Sequence, residues 1–189
     1  MRYRSRNNLK QLDQNRVIFC AIFAVMMLGW IAGAFYADYR ADGAQIIGEI
    51  IEGLYFNRLN TNASLINTLS KYLRIIAILW ISGFFTAGFA VIVSMLFVRS
   101  FAYSFTMCAF ISHYGLYGLV MAFKTYVFQN IFLIGAMVFL SFFGLKSIIK
   151  KIGDIKQDRV LQGFVLIIGV LCAIIASLIE TYITPILLS

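Results

Sequence analysis

Histidine and proline occur once each among the 189 residues, cysteine three times, and charge is sparse, with sixteen basic and eight acidic side chains. Each shortage closes off chemistry. With His113 alone, the chain can build neither a Ser-His-Asp triad nor a multi-histidine metal site from its own residues. Three cysteines are too few and odd in number for a disulfide scaffold. Cys20, Cys108 and Cys172 all sit in apolar stretches, where they read as packing residues. The sequence contains no phosphate-binding glycine loop, no HExxH, no GxSxG and no CxxC. An independent enzyme is therefore not expected, and no catalytic, cofactor-binding or metal-ligating residue is assigned. No linker rich in Pro, Gly or Ser and no repeat divides the chain, so residues 1–189 read as one domain.

Apolar residues are present in excess, at 61% of the chain, with a mean hydropathy of +0.87. A soluble domain of this size exposes more surface than so few charges can solvate. The sequence therefore specifies an integral membrane protein. Its net charge of +8 does not point to nucleic acid, because the basic residues cluster beside apolar runs, where bilayer orientation accounts for them.

A hydrocarbon core of about 30 Å takes about 20 helical residues, and five stretches qualify: 17–37, 75–98, 100–123, 126–145 and 160–188. The expected fold is all-α, a polytopic transmembrane helical bundle of about five spans. The first stretch reads as an uncleaved span, since its apolar run is longer than a signal-peptide core and sixteen residues precede it. Within the third, the run Ser112-His113-Tyr114-Gly115-Leu116-Tyr117-Gly118 is able to break the helix and leave a re-entrant piece. Eleven basic residues fall in the segments 1–16 and 146–159 and at Arg99, against five on the other side. That bias places the N-terminus in the cytoplasm and the C-terminus outside.

The outer segment 38–74 is the only sizeable hydrophilic part. Ile46, Ile47, Ile50, Ile51 and Leu54 recur at helical spacing, with Gln45, Glu49 and Glu52 opposite. A second stripe, Leu65, Ile66, Leu69, Tyr72, Leu73 and Ile76, has Asn67, Lys71 and Arg74 on its other face. Two amphipathic extracytoplasmic helices are predicted, separated by a turn at Asn60-Thr61-Asn62, the second running into the second span. They either cover the bundle or form a docking platform on which Glu49, Glu52, Lys71 and Arg74 contact a partner.

Few polar residues remain inside the spans. His113 reads as a polar side chain satisfied at a helix break. Glu180 lies near the outer end of the last span, before the helix-terminating Pro185, and is expected to pair with Lys124, Lys71 or Arg74. Gln129 and Asn130 read as interhelical hydrogen-bonding groups. Gly29 and Gly33 form a GxxxG, and Ser82, Gly83, Ala87 and Gly88 supply further small residues for close helix approach.

Three segments carry a family resemblance. Arg99-Ser100-Phe101-Ala102-Tyr103-Ser104-Phe105-Thr106 is similar to a Lys-Gly-Phe-x-x-Gly-Phe-Thr centre, Phe128-Gln129-Asn130-Ile131 to a Pro-Gln-Asn signature, and Glu180-Thr181-Tyr182-Ile183-Thr184-Pro185 to a Glu-x-Tyr-x-x-Pro ending. On these, and on the order of its basic N-terminus, first span and outer segment, the chain resembles the stage II sporulation protein M family over most of its length. Phe101, Phe105, Gln129, Asn130, Glu180, Tyr182 and Pro185 are the matching motif positions. Serines replace both family glycines and Phe128 replaces the proline. Serine is small enough to keep the third span's close packing, whereas a kink at the start of the fourth is put in doubt.

The resemblance implies a multi-pass protein of the bacterial cell membrane at the sporulation septum or engulfing membrane. It implies a non-enzymatic scaffold that recruits two cell-wall hydrolases, stage II sporulation proteins D and P, during forespore engulfment. Membrane lipid is the other partner implied; nucleic acid is not, and homo-oligomers stay open. The rival reading is a transport component, a permease subunit or a lipid or small-solute pathway lined by His113, Gln129, Asn130 and Glu180.

Overall fold

The computed structural model describes residues 2–39, 49, 65–123, 128–152 and 159–183. Its helices are α1 (Arg2–Tyr39), α2 (Leu65–Ser82), α3 (Gly88–Tyr114), the short α4 (Leu116–Ala122), α5 (Phe128–Ile152) and α6 (Arg159–Leu178). The end of α6 widens into a π-helical turn, Ile179–Ile183. The expected fold class holds: the described residues are helical with no strand. Five stretches are long and apolar enough to cross a membrane: Asp13–Tyr39, Leu65–Ser82, Gly88–Tyr114, Asn130–Ile149 and Gln162–Thr181.

The second and third spans differ from expectation. The apolar run 75–98 is not one helix; it is divided by a turn at 83–87 that joins two spans. Short i→i−3 hydrogen bonds close this turn, among them Gly83 N–H to the Trp80 carbonyl and Gly88 N–H to the Phe85 carbonyl. Gly88 packs against the Ser82 backbone so tightly that a Cβ there would overlap the Ser82 carbonyl, which restricts the position to glycine. Residues 65–74 are consequently the first half of the second span. Arg99, expected in a connecting loop, lies near the middle of α3 and is half-buried.

Thr68, Tyr72, Ile75, Ile76 and Leu79 are the buried face of α2, at helical spacing, while Asn67, Lys71 and Arg74 are exposed. The core where α2, α5 and α6 meet is built on Leu79, Leu133, Leu140 and Ala173, all essentially inaccessible. Between spans such packing gains dispersion energy more than hydrophobic energy, because lipid tails are as apolar as leucine. Large apolar side chains cover the outside instead, including Phe23, Trp30 and Phe35 of α1 and Phe164 and Leu171 of α6. That surface suits hydrocarbon as a solvent.

α1 lies along α3 in parallel. Gly29 faces Phe97 and Ser100, and Gly33, one turn on, faces Phe101 and Ser104. A Cβ on Gly29 would sit 2.7 Å from the Phe97 carbonyl oxygen and 2.9 Å from Ser100 Cβ, so only a bare backbone fits. α2 and α6 run antiparallel, with Trp80 beside Gln162 and Tyr72 beside Glu180. The bundle thus has one end at the turn around Gly83 and another at Tyr39, Leu65 and the π-turn. α3 breaks at Gly115, whose φ of 60° is the left-handed value that favours glycine, and α4 follows as a short separate piece.

Candidate functional site

The functional candidates lie on the α2, α3 and α6 faces toward the Tyr39 end. Ten residues separate Tyr72 from Ser82 and eleven separate Arg99 from Gly88, placing both about 15–16 Å above the turn. The Tyr72 hydroxyl donates to Glu180 Oε2 in the π-turn of α6. Arg99 and Tyr103 of α3 lie within electrostatic range of the same phenol. Tyr72 and Tyr103 are each only 7% exposed, so this polar group is packed between helices rather than open. A carboxylate packed between helices is costly unless it receives hydrogen bonds; Tyr72 provides one. The π-turn is what presents Glu180 there, since widening a helix by one residue per turn re-aims the side chains that follow.

Glu180 is expected to pair with Lys124, Lys71 or Arg74; it accepts a hydrogen bond from the Tyr72 phenol, and neither Lys71 nor Arg74 makes an ion pair among the described residues. Lys71 and Arg74 occupy the opposite, exposed face of α2, which carries them away from the α6 contact. Lys124 lies outside the described residues. Sequence places Tyr72 in an amphipathic stripe and Arg99 and Tyr103 in a motif, and does not bring the three together. The available signal was Thr68 and Tyr72, a polar pair one turn apart on the face that also carries Ile75, Ile76 and Leu79.

The Arg99–Thr106 motif serves two interfaces at once. Ser100 and Ser104, 1% and 7% exposed, meet the Gly29-x-x-x-Gly33 face of α1. The rings of Phe101 and Phe105 are parallel to within 3°, and Tyr36 of α1 lies against both, at centroid distances of 5.8 and 5.9 Å. Tyr103, between the two phenylalanines, lies within electrostatic range of Tyr72 of α2. Small residues on both helices therefore close one seam, and the aromatic residues clamp its edge.

Asn130 is buried at the start of α5, and the π-turn packs against α5 as well as α2. The Gln129 and Tyr182 side chains, Pro185 and Glu52 lie outside the described residues; Glu49 is exposed. His113 is half-buried beside the Gly115 break, with its ring edge-on to Tyr114 at 4.5 Å.

A second polar tie binds the Gly83 end. The Trp80 indole donates to the Gln162 backbone carbonyl at 3.1 Å, and the Gln162 amide donates to Ser147 Oγ at 2.6 Å. It joins α2, α5 and α6 beside a cavity of about 10 Å³, roughly one water, bordered by Leu79, Gly83, Phe143 and Gly144.

Five apolar helices held together by buried polar ties and close-packed small-residue seams define a multi-pass helical membrane protein. The family model of stage II sporulation protein M matches residues 22–185, most of the chain, and the protein belongs to that family. No curated protein and no solved structure matches it.

Proposed function

We propose that this protein is a non-enzymatic membrane scaffold that recruits and retains peptidoglycan hydrolases, stage II sporulation proteins D and P, at the septal membrane for engulfment. The reading rests on family membership and on one structural observation. Among the described residues, polar side chains tie helices to one another, Tyr72 to Glu180 and Trp80 through Gln162 to Ser147. The chain is oriented with its N-terminus in the cytoplasm and the Tyr39 end outside, toward the wall. With Arg99 inside a span, ten basic residues in 1–16 and 146–159 still face only Arg40, Arg58 and Lys124 in the opposite connections. Septal and engulfing membranes are then its working location.

The test is recovery of the two hydrolases with the full chain from membranes. Glu49→Lys and Glu52→Lys lower recovery at unchanged membrane level if the stretch between α1 and α2 is the platform. Unchanged recovery for every such variant overturns it. The transport reading needs a path lined by His113, Gln129, Asn130 and Glu180, and among the described residues the water-sized cavity beside Trp80 is bordered by none of them.

A further inference from the structure

α2 carries two cations where a membrane span has least use for them. Lys71 and Arg74 are exposed, and neither makes an ion pair or hydrogen bond among the described residues. Eleven and eight residues from Ser82, they stand about 16 and 12 Å above the Gly83 turn. The apolar run of α1 that lies beside α3 is about 30 Å long, so both backbone positions fall near mid-span. Asn67, Lys71, Arg74, Ile78 and Ile81 form one stripe, polar toward Leu65 and apolar toward the turn, and every member is exposed. α2 is accordingly the least apolar of the five spans, with mean hydropathy 1.3 against 1.6 to 2.6.

Ionisable residues at this depth normally face a bundle interior, a hydrated cavity or an opposite charge. Here they face outward. Side chains on α2 lean toward its N-terminus, so both can snorkel in that direction, but a reach of about 6 Å leaves Lys71 short of the headgroup layer. The seams that would otherwise receive a foreign helix are occupied: Gly29 and Gly33 by Ser100 and Ser104, and Gly83 by Gly144.

We propose that the Asn67–Lys71–Arg74 stripe is a docking surface for the membrane-spanning helix of a partner protein that carries a carboxylate at matching depth. The apolar positions Ile78 and Ile81 supply the lower part of the same contact. This names the class of partner for the scaffold reading above and rests on it, adding a contact inside the bilayer to the one on the outer segment.

The experiment uses the purified full chain in zwitterionic phosphatidylcholine vesicles. The probes are fluorescent Leu-Ala helices of about 22 residues, one with a single central Glu and one with Leu in its place. Energy transfer should show about tenfold tighter association of the Glu helix, the size of one interhelical polar contact. Lys71→Leu with Arg74→Leu should abolish the difference while leaving the unfolding temperature of the chain unchanged or higher. Equal binding of both helices overturns the proposal. So does loss of the preference once anionic lipid is added, which would make lipid phosphate the occupant. If Glu49→Lys releases the hydrolases but the Glu helix shows no preference, the scaffold reading stands and this inference fails. If the Glu helix binds but no variant changes hydrolase recovery, the reverse holds.

Discussion

Tyr72 gives its hydroxyl proton to the carboxylate of Glu180, so that a side chain in the second span fixes the end of the last one. The two residues are 108 positions apart in sequence, and their contact closes the α2–α6 interface at the end opposite the Trp80–Gln162 tie. The same interface is thus pinned twice, near each end. Removing one pin leaves the other, which makes the contribution of each measurable.

Tyr72→Phe removes the donor and leaves a carboxylate in a packed site without it. The expected loss is about 1–3 kcal/mol, since a buried charged acceptor loses more than an average hydrogen bond. Glu180→Gln keeps an acceptor and removes the charge, so its loss should be smaller. Thermal unfolding in detergent of both single variants and the double variant measures this. Fully additive effects would show that the two side chains are not coupled.

The α1–α3 seam predicts unequal tolerance at facing positions. Gly29→Val places a branched side chain against the Phe97 carbonyl and Ser100, and should cost about 1–3 kcal/mol or separate the helices. Ser100→Gly and Ser104→Gly, which restore the residues of the family pattern, should be tolerated because they remove atoms from the crowded side. A cysteine pair replacing Tyr36 and Phe105, whose rings meet across the same helices, tested with a short bifunctional thiol cross-linker, reports whether the seam forms in membranes without adding a Cβ at either glycine. Absence of the cross-link in folded protein would contradict the parallel packing.

How far these features were legible in sequence follows from what each signal measures. Hydropathy counts apolar residues, so five spans were readable, and the GxxxG of Gly29 and Gly33 announced a close contact. The break at Gly115 was also visible, because Ser, His, Tyr and Gly interrupt the apolar run there. The turn at 83–87 was not. It contains no charge and no proline, and phenylalanines at 84, 85 and 89 keep its hydropathy high, so the run appears continuous through it. Arg99 then looked like a boundary, because a cation after 24 apolar residues usually is one. Its neighbour Tyr72 is distant in sequence and comes within electrostatic range only after α2 and α3 pack. The partner of Gly29 and Gly33 was hidden for the same reason, although Ser100 and Ser104 had been recognised as small.

The span boundaries themselves are open to a direct test. With Cys20, Cys108 and Cys172 replaced by alanine, single cysteines are introduced at Thr86, Arg99 and Tyr39. A membrane-impermeant maleimide should label the Thr86 position only when the N-terminal side is accessible, and the Tyr39 position only from the opposite side. The Arg99 position should stay unlabelled from both. Efficient labelling at 99 with protection at 86 would restore a single span over 75–98 and remove the α2–α3 turn.

The Trp80–Gln162–Ser147 tie predicts a defect confined to the Gly83 end. Trp80→Phe retains most of the aromatic volume but loses the indole N–H, leaving the Gln162 carbonyl without that donor, at a cost of about 1–2 kcal/mol. The loss should be modest for a second reason: a carbonyl at the start of α6 can still accept its intrahelical hydrogen bond. Ser147→Ala removes the acceptor of the Gln162 amide, whose Oε1 has no hydrogen-bond partner among the described residues, and so leaves this half-buried amide without its side-chain tie. It should therefore cost at least as much as Trp80→Phe despite deleting a single oxygen. Hydrogen exchange resolved by segment locates the damage. Faster exchange in 75–82 and 159–166 with unchanged protection around Tyr72 and Glu180 is the expected pattern. Equal acceleration at both ends would mean that the two ties form one cooperative unit rather than separate pins.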